Sequence, residues 1–212
     1  MSGESKLVFS AVDEDPGLDP ERTLALTYVP MPARSRVETL WRLDERLARL
    51  GASSSQFREV KLAWWEEQLS ALTPAGHAEP LLGQVARDLL PTLAPADLAG
   101  LADAWRFVDG DGLGPGYAAG RAGLFALTAR LVGAEPPAQA DAELWARADL
   151  RRRRPDLVAA EPAEPRPGRW PKPLRALGAL AILAARDLSA PEPEGASPAR
   201  VARMAWHRLS GL

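Results

Sequence analysis

The chain has 212 residues, 26 basic against 28 acidic side chains, and a formal net charge of −2. It has no cysteine and only His77 and His207, which excludes a disulfide framework, thiolate chemistry, a cysteine-based zinc site and any centre built on several histidines. The near-balanced charge provides no general attraction for nucleic acid, while 46% hydrophobic residues over this length are ample for a folded core.

Residues 1–18 read as an acidic, flexible N-terminus, with Asp13, Glu14 and Asp15 where a targeting peptide would be basic. The rest, 19–212, reads as one helical domain. Alanine, leucine, arginine and glutamate dominate, and 20 prolines and 17 glycines punctuate them. Asp19-Pro20 predicts an N-cap and first helical residue for a short helix, stopped by Pro30 and Pro32. A second helix is expected from Ser35 to Leu50, closed by Gly51, because Val37, Leu40, Trp41, Leu43, Leu47 and Leu50 recur with a 3.6-residue period. The third runs from Gln56 to Leu72 with Phe57, Val60, Trp64, Trp65, Leu69 and Leu72 on one face. Further helices are predicted at Glu79–Leu90, Pro95–Val108, Pro115–Val132, Ala138–Arg152, Pro173–Leu188 and Pro198–Leu209. Pro155, Pro162, Pro165, Pro167, Pro171 and Pro173 mark an extended surface connection. No run is long and apolar enough for a membrane span, and no useful strand alternation occurs, so the fold class is an all-α helical bundle.

Three segments carry a family resemblance. They are Asp19-Pro-Glu-Arg-Thr-Leu-Ala-Leu-Thr-Tyr-Val-Pro-Met-Pro-Ala-Arg34, Leu40-Trp-Arg-Leu-Asp-Glu-Arg-Leu-Ala-Arg49 and Arg58-Glu-Val-Lys-Leu-Ala-Trp-Trp-Glu-Glu-Gln-Leu69. In order and spacing they resemble the squalene/phytoene synthase family of the isoprenoid synthase fold. The likeness is to short, divergent bacterial members related to the branch that includes a mitochondrial assembly factor of respiratory complex I. Gly120-Arg-Ala-Gly-Leu-Phe-Ala-Leu-Thr128 is similar to a further helix of the family. Against that fold the chain reads as short, with the shortage in its C-terminal half.

The resemblance implies a requirement that can be checked against the residues. Joining prenyl diphosphates needs Mg²⁺ held by two acidic motifs on facing helices, with basic side chains on the diphosphates. At the first motif position stands Asp44, on the inward face of Leu40, Trp41 and Leu47, with Ala48 one turn on and Glu45 rotated away by about 100°. At the second, Ala129-Arg-Leu-Val-Gly-Ala-Glu135 contains no aspartate. The expected function is therefore that of a catalytically degenerate family member, a binding or assembly protein for respiratory-chain complexes or an isoprenoid ligand. The alternative is an active Mg²⁺-dependent prenyl-diphosphate transferase of isoprenoid biosynthesis, with acids drawn from positions such as Asp103 or Asp109. Expected partners are an isoprenoid or prenyl diphosphate and a membrane-associated protein, but no nucleic acid. The expected location is the cytoplasm or the periphery of the inner membrane.

Each candidate site has two readings. Asp44 is either the remnant of a diphosphate or metal site, or a buried acid paired with an arginine of a neighbouring helix. Lys61 either pairs with Asp44 or binds a ligand phosphate. Trp41, Trp64 and Trp65 either floor an apolar pocket or simply fill core. Arg151, Arg152, Arg153 and Arg154, with Arg147, Arg166 and Arg169 near, form a candidate membrane or partner surface, or else a helix end matched to its dipole. Asp109-Gly-Asp-Gly-Leu-Gly114 is a turn rather than a calcium loop, since the remaining ligands are missing. The last helix docks on the bundle or on a partner.

Overall fold

The computed structural model describes residues 17–108, 113–164, 168–192 and 197–212. Among them the structure is helical throughout, with one isolated bridge between Val108 and Leu113. The Asp109–Gly112 part of the Asp-Gly turn, Arg166 and most of the acidic N-terminus lie outside the described residues.

The elements are α1 (Pro20–Leu26), α2 (Met31–Gly51), α3 (Arg58–Ser70), α4 (Pro80–Asp88), α5 (Pro95–Asp103), α6 (Gly116–Leu131), α7 (Gln139–Arg153), α8 (Arg175–Ser189) and α9 (Pro198–Ser210). Short 3₁₀ turns at Ala104–Phe107 and Lys172–Leu174 extend α5 and precede α8. Helix starts follow from capping chemistry. The Asp19 carboxylate accepts from the backbone N–H groups of Glu21 and Arg22 at 2.9 and 3.0 Å, and Ser197 accepts from Arg200 at α9. At α4 the Glu79 carboxylate accepts from Leu82.

α1 ends at Leu26, before Pro30 and Pro32, as expected. α2 begins at Met31, four residues ahead of Ser35, and Pro32 sits in its first turn, where its missing N–H would have had no partner anyway. Gly51 ends α2, as expected, as its last helical residue and without a positive φ. What requires glycine there is contact: a Cβ would overlap the Trp105 ring. Gly211, with φ +79°, is the left-handed cap, at the end of α9.

In packing order, α3 lies on α5, α5 on α6, α6 on α7, α7 on α8, and α8 on α9 and α1. The long α2 crosses this row and touches α1, α3, α4, α5 and α6. One continuous apolar core runs through it, in which Trp41, Trp105, Trp145, Tyr117 and Phe125 are fully enclosed. Each buried tryptophan contributes about 4 to 6 kcal/mol by area. α8 is buried on nearly every side, as its run of Ala, Leu and Gly178 allows. The proline-rich connection is strapped along α8: Glu161 N–H donates to Leu188 O at 2.9 Å, and Ala163 exchanges bonds with the Ser189 hydroxyl. No helix among the described residues is long and apolar enough to cross a membrane.

Candidate functional site

Asp44 lies where α1, α2, α6 and α7 meet. Its neighbours on α2, Leu40, Trp41, Leu43, Leu47 and Ala48, are all buried, so the apolar face carries the carboxylate to the centre of the bundle. Two guanidiniums meet it there. Arg22, one turn into α1, donates from Nη1 to Oδ2 at 2.8 Å. Arg121 of α6 donates from Nη1 to Oδ1 and from Nη2 to Oδ2, a two-pronged pair with both side chains fully buried.

Arg121 also donates from Nη2 to Oδ2 of Asp149, on α7, at 3.1 Å. Asp149 in turn accepts from Arg153 Nε at 3.2 Å, and Arg153 grips both oxygens of Glu45 at 3.0 and 2.7 Å. From there the network continues to the surface. Arg152 and Arg200 share Glu21, and Arg200 also binds both oxygens of Asp187. Six helices are thus tied by alternating charge. The flat faces of the two innermost guanidiniums rest on indoles. The Arg121 carbon lies 4.8 Å from the Trp105 ring centre and 5.1 Å from that of Trp145, and Arg22 lies 5.2 Å from Trp145.

The electrostatics follow from burial set against neighbouring charge. Burial alone would raise the Asp149 carboxyl, but Arg153, Arg22 and Arg121 outweigh it and hold the group far below the usual carboxylate range. Glu45 is lowered in the same way, burial opposing and Arg153 prevailing, and so is Glu21 through Arg200 and Arg152. Burial pushes Arg121 down to about 9, with Asp149 resisting, so it stays charged at neutral pH. The Tyr117 phenol is driven up by burial and by the negative charge of Asp149.

A Mg²⁺ ion does not fit this arrangement. Both oxygens of Asp44 are engaged by guanidinium N–H groups, and a divalent cation there would face Arg22 and Arg121. Among the described residues no group of three or more His, Cys, Asp or Glu side chains is placed to hold a metal.

The remaining candidates are dispersed. Lys61 sits half-buried on α3, while the partners of Asp44 are Arg22 and Arg121. Trp41 is enclosed and donates its indole N–H to the Thr128 hydroxyl of α6 at 3.0 Å. Trp65 is buried against the edge of Trp64, and Trp64 opens to solvent beside His77. An open cleft of about 260 Å³ lies elsewhere, at the outer end of the network, lined by Arg186, Asp187, Ser189, Ala190 and Arg200.

The arginine block is not the surface patch expected of it. Arg151 turns inward and donates to the carbonyls of Leu188, in the last turn of α8, and Pro191, just beyond it, at 3.3 and 2.8 Å. Arg152 and Arg153 belong to the network, and Arg154 pairs with Asp156 at 2.6 Å. Buried carboxylates draw Arg152 and Arg153 in, because an unpaired charge in the core is far more costly than a paired one. Of their companions, Arg147 pairs with Glu161 and Arg169 donates to Ser210 O.

Glu45 is buried as well. Its 100° rotation from Asp44 does not bring it to solvent, because α2 is covered on several sides. The sequence reading also missed Arg22, Arg121 and Asp149. Two signals were present: Arg121 is a lone charge within the apolar run Tyr117–Ala129, and Asp149 stands one turn from Trp145 on the inward face of α7.

In comparisons with known proteins, the chain matches no family model, no curated protein and no solved structure.

Proposed function

We propose that the protein is a non-catalytic binding or assembly protein, built on a helical scaffold of the squalene/phytoene synthase type. The observation that carries this reading is the occupation of Asp44 by Arg22 and Arg121. The one acid at the position the resemblance marks for Mg²⁺ is neutralised by the protein's own cations. A network of this kind acts as an internal brace. Its hydrogen bonds fix the relative register of six helices while the outer faces stay free for a partner. By the resemblance, the partners are a membrane-associated respiratory-chain subunit or an isoprenoid.

The test is incubation with farnesyl or geranylgeranyl diphosphate and Mg²⁺, with pyrophosphate release measured beside an Asp44→Ala variant. The two should release equally little. Release by the native protein well above the variant would establish the transferase reading instead.

A further inference from the structure

α9 is amphipathic in the sense opposite to an ordinary surface helix. The side chains it turns to the bundle are Arg200, Met204 and His207, two of them polar. At 100° per residue, Ala202, Ala205 and Leu209 form a line down the outer side, flanked by Val201 on one hand and Trp206 on the other. All five are exposed, Trp206 at 63% and Leu209 at 75%, and Leu212 just beyond the helix is exposed as well. Arg208 lies outside Val201 and Arg203 outside Trp206, so an arginine borders each edge of the apolar strip. From Ser197 to Leu212 the side chains include three arginines and no acid. Lys172 adds an exposed cation from the turn before α8, which packs on α9.

The helix cannot roll to hide this face. Arg200 is held by Glu21 and Asp187. His207 Nδ1 meets the Leu212 carbonyl at 2.8 Å, Arg175 donates to the carbonyls of Arg208 and Leu209, and Trp170 N–H donates to Gly211 O. Turning the apolar side inward would break the Arg200 pairs and leave buried charges uncompensated.

We propose that α9 is an interfacial helix that lays this face on an anionic lipid bilayer. The charge distribution selects that occupant. An apolar strip with tryptophan at its margin and arginines along both borders matches the boundary between acyl chains and acidic headgroups. There the aliphatic stems follow the apolar surface and the guanidiniums reach phosphate. Thirteen residues of helix lying flat present a strip about 20 Å long. The proposal does not rest on the non-catalytic reading, since an active enzyme could use the same face.

The experiment is co-sedimentation of the full chain with vesicles of phosphatidylcholine and phosphatidylglycerol, and with phosphatidylcholine alone. Binding should require the anionic lipid and weaken as salt is added. Leu209→Glu and Trp206→Glu should each weaken it about tenfold or more, and Arg203→Glu with Arg208→Glu by about tenfold. All four side chains are exposed, Arg208 with its guanidinium 5.1 Å from the Tyr28 ring centre, so circular dichroism should be unchanged. Failure to sediment with the anionic vesicles, or equal sedimentation of the Leu209→Glu variant, overturns the proposal. So does a dimer in analytical ultracentrifugation that Leu209→Glu dissolves while vesicle binding is absent, because the face would then be covered by a second copy of the chain.

Discussion

Asp44 on α2 and Arg121 on α6, 77 positions apart in the chain, are joined side-on as a fully buried ion pair. The pair ties the two helices where they meet and also occupies both oxygens of Asp44, the most deeply buried acid of the Leu40–Arg49 segment. One interaction therefore bears on both architecture and function.

Asp44→Ala should destabilise the protein by about 3 kcal/mol or more, because Arg22 and Arg121 lose their shared counter-charge without leaving the core. Urea unfolding followed by circular dichroism measures this. A cycle with Arg121→Ala should be clearly non-additive, with about 1 to 3 kcal/mol of coupling. Simple additivity would mean that the two side chains do not act as a pair.

Acid should weaken the fold through Glu21, Glu45 and Asp149, whose carboxyls are all held below their ordinary values. In the unfolded chain they take up protons near 4.5 for the glutamates and 3.8 for the aspartate, earlier than in the folded one. Their stabilisation is thus complete above those values and lost as pH falls below them. Urea midpoints measured from neutral pH down to about pH 3 should decline most steeply in that lower window. Glu45→Gln should lower the midpoint at neutral pH and flatten the acid decline.

His207 titrates in a separate window. Its Nδ1 faces the Leu212 carbonyl and therefore carries the proton of the neutral ring. Burial lowers its pKa from the ordinary 6.5, the Leu212 carbonyl opposes this, and Arg175 adds to the lowering. The unfolded chain is protonated first, so this contribution is complete above 6.5 and falls as pH drops toward the lowered value. A first, small loss of stability between about pH 7 and pH 5 should appear in the native protein and vanish in His207→Gln.

Gly51→Ala should cost about 1 to 3 kcal/mol, an unusual result at a helical position where alanine is normally favoured. The added methyl would overlap the Trp105 ring, which is itself in contact with Tyr117 and Arg121. A thermal melt decides it, and a rise in Tm would show that Trp105 can give way. In a Trp105→Leu background Gly51→Ala should cost clearly less than it does in the native chain.

The helices were legible because their signals are local. Asp19-Pro20, the Val37–Leu50 periodicity and Pro198 after Ser197 each act within a turn or two, and the boundaries they imply fall within a few residues of those observed. Asp44 was legible as inward-facing because its neighbours on the α2 face are apolar. Its partners were not, because Arg22 and Arg121 are brought to it by tertiary packing. Residues 151–154 show the limit in another way. As a string they read as a cationic patch, and only the fold reveals that Arg152 and Arg153 turn to carboxylates on α1, α2 and α8 and Arg151 to backbone carbonyls at the end of α8.

By itself, then, the sequence determined the all-helical class, the order of the helices and the absence of thiol or multi-histidine chemistry. These depend on composition and short-range periodicity, which need no knowledge of what lies across the core. The tertiary structure decided which charges are partnered and which faces are left bare: Asp44 between two arginines, the arginine block turned inward, α9 presenting its apolar side outward. A charge buried in the core must find its counter-charge on whatever helix packs there, and that pairing exists only once the chain has folded.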